Sequence, residues 1–264
     1  MIKWRAGVCK INGINIHYQR TGGHKPPVVL LHGLMTNGTC WTSLARVLEE
    51  DFDVIMPDSR GHGNSSAPKQ GYSYDNLATD VLGLIEALEI APPVLIGHSM
   101  GGMTAAVAAS QNPEQLRGVV LADPTFLPLK RQVEVYESGV VAQHRKILDR
   151  SFEDFLSEMR MRHSHRSQEL IQQIARARFQ TSIHAFEILK PPNPDYIKLI
   201  KTLDLPSLLV RGGVGAIVST AVAEELTCLN HRLEIVQIEE AGHGIPYDQP
   251  ERFAEVSKTF LCSI

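Results

Sequence analysis

Six short, almost wholly apolar runs set the frame of this chain: Val28–Leu31, Val54–Met56, Val94–Ile96, Val119–Leu121, Ser207–Val210 and Leu233–Ile238. A sheet with one wet face alternates apolar and polar residues; runs such as these read as parallel strands buried on both faces. Stretches with helical period fall between or after them, over Trp41–Glu50, Tyr74–Glu89, Ser99–Gln111, Thr220–Leu229 and Gln249–Leu261. Alternating strands and helices joined by short loops predict an α/β fold with a doubly wound, mostly parallel sheet. A hairpin comes first, because Val8–Ile11 and Ile14–Tyr18 flank Asn12-Gly13, the dipeptide suited to a two-residue turn.

One connection departs from this pattern. More than eighty residues separate Leu121 from Ser207 without a convincing strand. They carry helical patterns over Val133–Leu148, Phe152–Met161 and Ser167–Phe179, and Pro191-Pro192-Asn193-Pro194 ends the series. A structureless loop of that length is implausible in a compact domain, so the segment reads as an inserted helical cap over one edge of the sheet. The expected division is a core of residues 1–124 and 200–264 with a cap of residues 125–199.

Composition narrows the function classes. A formal charge of −3 leaves no global positive field to recruit nucleic acid, and the apolar runs are too short to span a bilayer. The first residues, MIKWRAGVCKINGINIHY, hold no long apolar run and no small-residue cleavage site, so no secretory leader is expected. Cys9, Cys40, Cys228 and Cys262 are scattered, which suits reduced thiols in a cytoplasm.

The chemistry concentrates in three places. Val94-Leu95-Ile96-Gly97-His98-Ser99-Met100-Gly101-Gly102 contains G-x-S-x-G in the order strand, sharp turn, helix, the context of a nucleophile elbow. Gly97 and Gly101 let neighbouring backbone come close, and Ser99 projects from a strained turn. The helix that follows offers unpaired N–H groups, so the Met100 N–H is a candidate oxyanion donor. The second place is Leu30-Leu31-His32-Gly33-Leu34-Met35 at the end of an early strand, which can bring the Leu34 N–H to the same oxyanion. The third is Ala241-Gly242-His243-Gly244 after the last strand. A serine hydroxyl needs a base, and of eleven histidines His243 lies late in the chain at the carboxyl edge of a strand. His98 and His32 are expected in supporting roles, His98 inside the elbow and His32, with Gly33, bracing the oxyanion loop.

With these residues the chain resembles the α/β-hydrolase superfamily, in its single-domain form with a helical cap. The matching blocks are His32-Gly33, Asp58-Ser59-Arg60-Gly61-His62-Gly63-Asn64-Ser65, Gly97–Gly101 and Gly242-His243, together with the helical ending Asp248–Phe253. The resemblance implies Ser99 as nucleophile, His243 as base, Leu34 and Met100 as oxyanion-hole donors, and an architectural role for the Arg60 block. The family usually takes its third, acidic member from the loop after the strand that follows the cap. Here that loop is Arg211-Gly212-Gly213-Val214-Gly215-Ala216-Ile217-Val218, without a carboxylate. Asp123, at the end of the preceding strand, is the leading substitute, since some members of the superfamily draw their acid from there. Glu239 and Glu240 are lesser candidates, and a Ser-His dyad or a disabled site is the remaining reading.

The cap carries Arg160, Arg162, His163, His165, Arg166, Arg176 and Arg178 against Glu153, Asp154, Glu158 and Glu169. These form a solvated face, or one of them points inward to hold a substrate carboxylate. His163-Ser164-His165 lacks a carboxylate partner at a metal-site spacing, and no phosphate loop or dinucleotide fingerprint occurs, so neither metal nor cofactor is expected. The expected function is a serine hydrolase of a small, largely apolar ester, lactone or related acyl compound, C–C bonds beside a ketone included. The partner is a small-molecule substrate, with no nucleic acid or membrane, in a monomer or homodimer. Two rivals stand beside it: a non-catalytic ligand-binding member of the fold, and a cofactor-free lyase or oxygenase using the same pocket.

Overall fold

The computed structural model describes residues 4–264, so the first three residues of the amino-terminal stretch discussed above lie outside the described residues. The chain opens with the hairpin of β1 (Arg5–Ile11) and β2 (Ile14–Arg20), in which Ile11 faces Ile14. Asn12 and Gly13 both take positive φ, 52° and 79°, as a turn matched to the twist of the strands requires. Next come β3 (Pro27–Leu31), α1 (Thr42–Leu48), β4 (Asp53–Pro57), α2 (Tyr74–Ala87), β5 (Val94–His98), α3 (Met100–Gln111) and β6 (Gly118–Ala122). Five helices then intervene: α4 (Leu129–Glu137), α5 (Val140–Leu148), α6 (Phe152–Arg162), α7 (Gln168–Phe179) and α8 (Tyr196–Thr202). The chain closes with β7 (Ser207–Gly212), α9 (Thr220–Leu229), β8 (Leu233–Ile238), α10 (Ile245–Asp248) and α11 (Pro250–Ser263).

The eight strands form one sheet in the order β1-β2-β4-β3-β5-β6-β7-β8. The two pairs made by β2 are antiparallel and all pairs from β4 to β8 are parallel. The expected doubly wound sheet is therefore present. Its apolar runs are buried on both faces because alternate residues serve opposite layers. Val29, Leu95, Val119 and Leu209 join Leu77, Val107 and Leu226 on the side of α2, α3 and α9. Val28, Ile96, Val120 and Val210 join Leu48, Phe253 and Phe260 on the side of α1 and α11. From β3 the chain steps outward to β4 and then back across β3 to β5. The loops after β3 and β5 consequently open side by side at the carboxyl edge, at the reversal point where such sheets place their ligands.

The insertion differs from expectation in two respects. The helix read over Val133–Leu148 is two helices, because Gly139 adopts a left-handed φ of 75° between α4 and α5. The segment after Pro191-Pro192 also contains α8, which buries Ile200 in the core layer shared with α3 and α9. Phe155, Leu156 and Met159 of α6 meet Leu170, Ile171 and Ile174 of α7 in a third apolar cluster. Cys40 and Tyr247, from carboxyl-edge segments of the sheet unit, belong to the same cluster, which seats α6 and α7 over that edge.

Candidate active site

Ser99 caps α3 with φ 55° and ψ −115°, a conformation that costs a non-glycine residue about 1–3 kcal/mol and persists only where the surroundings enforce it. The enforcement is visible. The Ser99 N–H donates to the Ala122 carbonyl at 3.0 Å, and the Ser99 carbonyl accepts from the Met103 N–H at 3.1 Å. A Cβ on Gly97 would collide with the Gly101 carbonyl, and one on Gly101 with the Leu31 carbonyl, so the elbow admits no larger residue at either position.

Three side chains from three separate segments form one hydrogen-bonded line. The Ser99 hydroxyl lies 3.0 Å from His243 Nε2, and His243 Nδ1 lies 2.6 Å from Asp123 Oδ2. The Asp123 side chain is wholly buried, whereas that of His243 keeps about a third of its surface. Asp123 also has a positive φ, 38°. Its two oxygens accept the backbone N–H groups of Ile217 and Val218 at 2.8 and 2.9 Å. The carboxylate-free loop after β7 thus donates to an acid held on β6. A side chain at Gly213 would run into the Glu239 carbonyl. Glu239 and Glu240 are exposed, and neither shares a hydrogen bond with His243.

The supporting histidines are placed as neutral rings. His98 Nε2 donates to the His243 carbonyl at 2.8 Å, and the two rings lie 4.8 Å apart. Burial, reinforced by the neighbouring His243, pushes the His98 pKa down to about 3, so its ring stays uncharged beside His243. His32 Nδ1 donates to the Gly33 carbonyl at 2.8 Å while its Nε2 accepts the Ser59 N–H at 2.9 Å, and burial lowers its pKa too. His62, whose pKa burial depresses to about 3, accepts the Met35 N–H at 3.4 Å and donates to the Arg60 carbonyl at 3.0 Å. His32 and His62 together hold the Gly33–Met35 turn against the loop after β4. His62 was read from the sequence only as part of an architectural block; its contact with Met35 crosses from one loop to another and leaves no local signal. Arg60 is architectural, bound to Asp80 at 2.6 and 2.8 Å.

The backbone N–H groups of Leu34 and Met100 donate to no protein acceptor among the described residues. Both residues line a cavity of about 840 Å³ that also contains Ser99 and His243. Its walls are mainly apolar, with Phe126, Met159, Ile174 and Val222 among them. Among the described residues no group of three or more His, Cys, Asp or Glu side chains is placed to hold a metal ion. The four cysteines are free thiols. No helix among the described residues is long and apolar enough to cross a membrane.

Comparison with known proteins agrees with this architecture. The profile of the alpha/beta hydrolase fold family matches residues 26–250. The sn-1-specific diacylglycerol lipase ABHD11 of Mus musculus is 27% identical, over 89% of this chain and 81% of its own. The N-formylmaleamate deformylase of Pseudomonas putida is 28% identical, over 97% of this chain and 96% of its own. Among solved structures, E-2-(acetamidomethylene)succinate hydrolase superposes with a TM-score of 0.86 at 24% identity, covering 98% of this chain and 99% of that one.

Proposed function

The chain belongs to the alpha/beta hydrolase fold family, and from that premise we propose that it is a serine hydrolase of small, largely apolar esters, lactones or related acyl compounds. The observation that carries this reading is the line Ser99–His243–Asp123, closed at 3.0 and 2.6 Å. A hydroxyl is a weak nucleophile near neutral pH and gains strength from a base within hydrogen-bond reach. His243 Nε2 takes the Ser99 proton as Oγ attacks the carbonyl carbon. Asp123 keeps the proton on Nδ1, which leaves Nε2 free to accept, and stabilises the imidazolium that forms. The negative oxygen of the tetrahedral intermediate is held by the N–H groups of Leu34 and Met100, each worth about 10²–10³ in rate where one such donor has been removed elsewhere. His243 returns the proton to the leaving group, and a water activated by the same ring releases the acyl group from Ser99.

The relatives support a hydrolase with a small acyl substrate: by name one is a diacylglycerol lipase and another a deformylase. A division into a core (residues 1–124 and 200–264) and a cap (residues 125–199) belongs to the same proposal, with the cap closing the cavity over Ser99. The feature that favoured a non-catalytic binding protein was the acid-free loop after β7. With Asp123 Oδ2 at 2.6 Å from His243, that feature no longer argues for it.

The test is intact mass after exposure to a fluorophosphonate, on the wild type, Ser99→Ala and Asp123→Asn. A single adduct on the wild type, none on Ser99→Ala and a much slower one on Asp123→Asn is the expected pattern. An unmodified wild type, or an adduct that survives Ser99→Ala, overturns the proposal.

A further inference from the structure

The cavity above Ser99 is mainly apolar, yet besides His98 and His243 four basic side chains line it: Arg131, His163, Arg166 and Arg178. Three of them are accounted for. Arg131 is ion-paired with Glu134. Arg166 Nη2 meets Asp248 Oδ1 at 2.7 Å, and its guanidinium lies 5.8 Å from the centre of the Tyr247 ring. Burial and the adjacent Arg166 lower the pKa of His163, which favours its neutral form.

Arg178, in the last turn of α7, is different. It forms no ion pair among the described residues. Nη1 lies 2.7 Å from the thioether sulfur of Met35, and Nε is buried without any partner. A thioether is a weak acceptor with no charge, while a guanidinium carries five donors in a planar fork. Burial lowers the Arg178 pKa from its ordinary value, but an arginine starts so far above neutrality that it stays charged. Arg178 as a whole is half-buried at the cavity wall. A charge partly withdrawn from water without a counter-ion is unfavourable, and buried charges in folded proteins are paired. Arg178 lines the cavity, so an acceptor bound there can supply the missing partner. The fork matches a carboxylate, which it binds with two parallel hydrogen bonds.

Position restricts the substrate further. Arg178 rests on Met35, and Met35 directly follows Leu34, the suggested oxyanion donor. An anion on Arg178 and a carbonyl oxygen at the Leu34 N–H fit within one small molecule. Resting on the reading of Ser99 as nucleophile, we propose that Arg178 is a specificity-determining residue that binds a substrate carboxylate. The preferred substrates are then acyl compounds carrying a second, ionised carboxyl group a few bonds from the carbonyl that is cleaved.

The experiment compares two esters of equal shape: 4-nitrophenyl hydrogen adipate, which is anionic, and 4-nitrophenyl 6-methylheptanoate, in which an isopropyl group replaces the carboxylate. Background hydrolysis is subtracted, and the readout is the ratio of kcat/KM for the anionic ester to that for the neutral one. This ratio is independent of the fraction of each variant that folds. The wild type is expected to favour the anionic ester. Arg178→Met is expected to lower the ratio by about 10- to 100-fold, the usual worth of a hydrogen bond to a charged group, and Arg178→Lys to restore part of it. No preference in the wild type, or a ratio unmoved by Arg178→Met, overturns the assignment; so does an equal loss on both esters, which would place the guanidinium on the oxyanion instead. If the wild type cleaves neither ester, or Ser99→Ala cleaves both as well, the nucleophile reading fails separately. The subsite is then decided by Tm in the presence of succinate, glutarate and adipate. A rise in the wild type and in Ser99→Ala but not in Arg178→Met supports it, and equal or absent rises overturn it.

Discussion

His243 Nδ1 meets Asp123 Oδ2 at 2.6 Å although 120 residues separate them in the chain. The contact joins the end of β6 to the loop after β8 and passes over β7, whose own loop supplies only backbone N–H groups to the same carboxylate. The end of β6 can therefore bring a carboxylate to the imidazole across β7, because adjacent parallel strands end at the same edge of the sheet.

If Asp123 orients the base, Asp123→Asn should lower kcat by about 10⁴-fold, since an amide in that place favours the wrong tautomer of His243. It should also cost about 1–3 kcal/mol of stability, because an NH₂ group would face either His243 or a backbone N–H. Adding Gly213→Asp is not expected to rescue activity, as its Cβ would collide with the Glu239 carbonyl. Steady-state ester hydrolysis combined with urea unfolding checks both parts. Restored turnover in the double variant would contradict the account.

The strained turn at Ser99 should be separable from its chemistry. Ser99→Gly removes the hydroxyl and relieves a φ of 55°. Its unfolded chain gains entropy, which offsets part of the benefit, so a net stabilisation of about 1 kcal/mol with complete loss of turnover is expected. A lower urea midpoint than that of Ser99→Ala would show that the backbone is not strained there.

Gly101 lies against the Leu31 carbonyl, a backbone atom that cannot rotate away. Gly101→Ala should force α3 from β3 and cost about 2–4 kcal/mol, like other overpacked cores at the severe end. Thermal denaturation followed by circular dichroism measures this, and a Tm within a degree of the wild type would refute it.

Acid should weaken the fold before most carboxylates titrate. His62 and His98 are each held near a pKa of about 3 by burial, against 6.5 in an open chain. Below pH 6.5 the unfolded chain binds protons that the folded protein refuses, so their stabilisation is complete above that pH and is lost as the pH falls toward 3. Between pH 7 and pH 5 each histidine contributes a loss of about 2 kcal/mol. His62→Gln keeps a side chain that can both donate and accept, and it should shrink the loss between those two pH values by that amount. Urea unfolding at both pH values reads the difference directly.

Much of this protein was legible in its sequence because the relevant physics is local. Apolar runs such as Val94–Ile96 and Val119–Leu121 mark strands buried on both faces, Asn12-Gly13 marks a turn, and Gly97–Gly101 marks an elbow that only glycine permits at its ends. Ser99 and His243 could be singled out because each sits in a short motif after a strand. What the tertiary structure decided was every relation between segments. It placed Asp123, rather than Glu239 or Glu240, against His243, since the order of strands and not their spacing sets which ends are neighbours. It broke Val133–Leu148 at Gly139, where a helical pattern with exposed residues on most sides could not show the turn. It left Arg178, at the cavity wall, without a counter-ion among the described residues, while Arg162, His165 and Arg166 of the same basic set are paired. Whether a charge is paired depends on partners brought close by folding, and residues distant in the chain leave no mark of that in one another's surroundings.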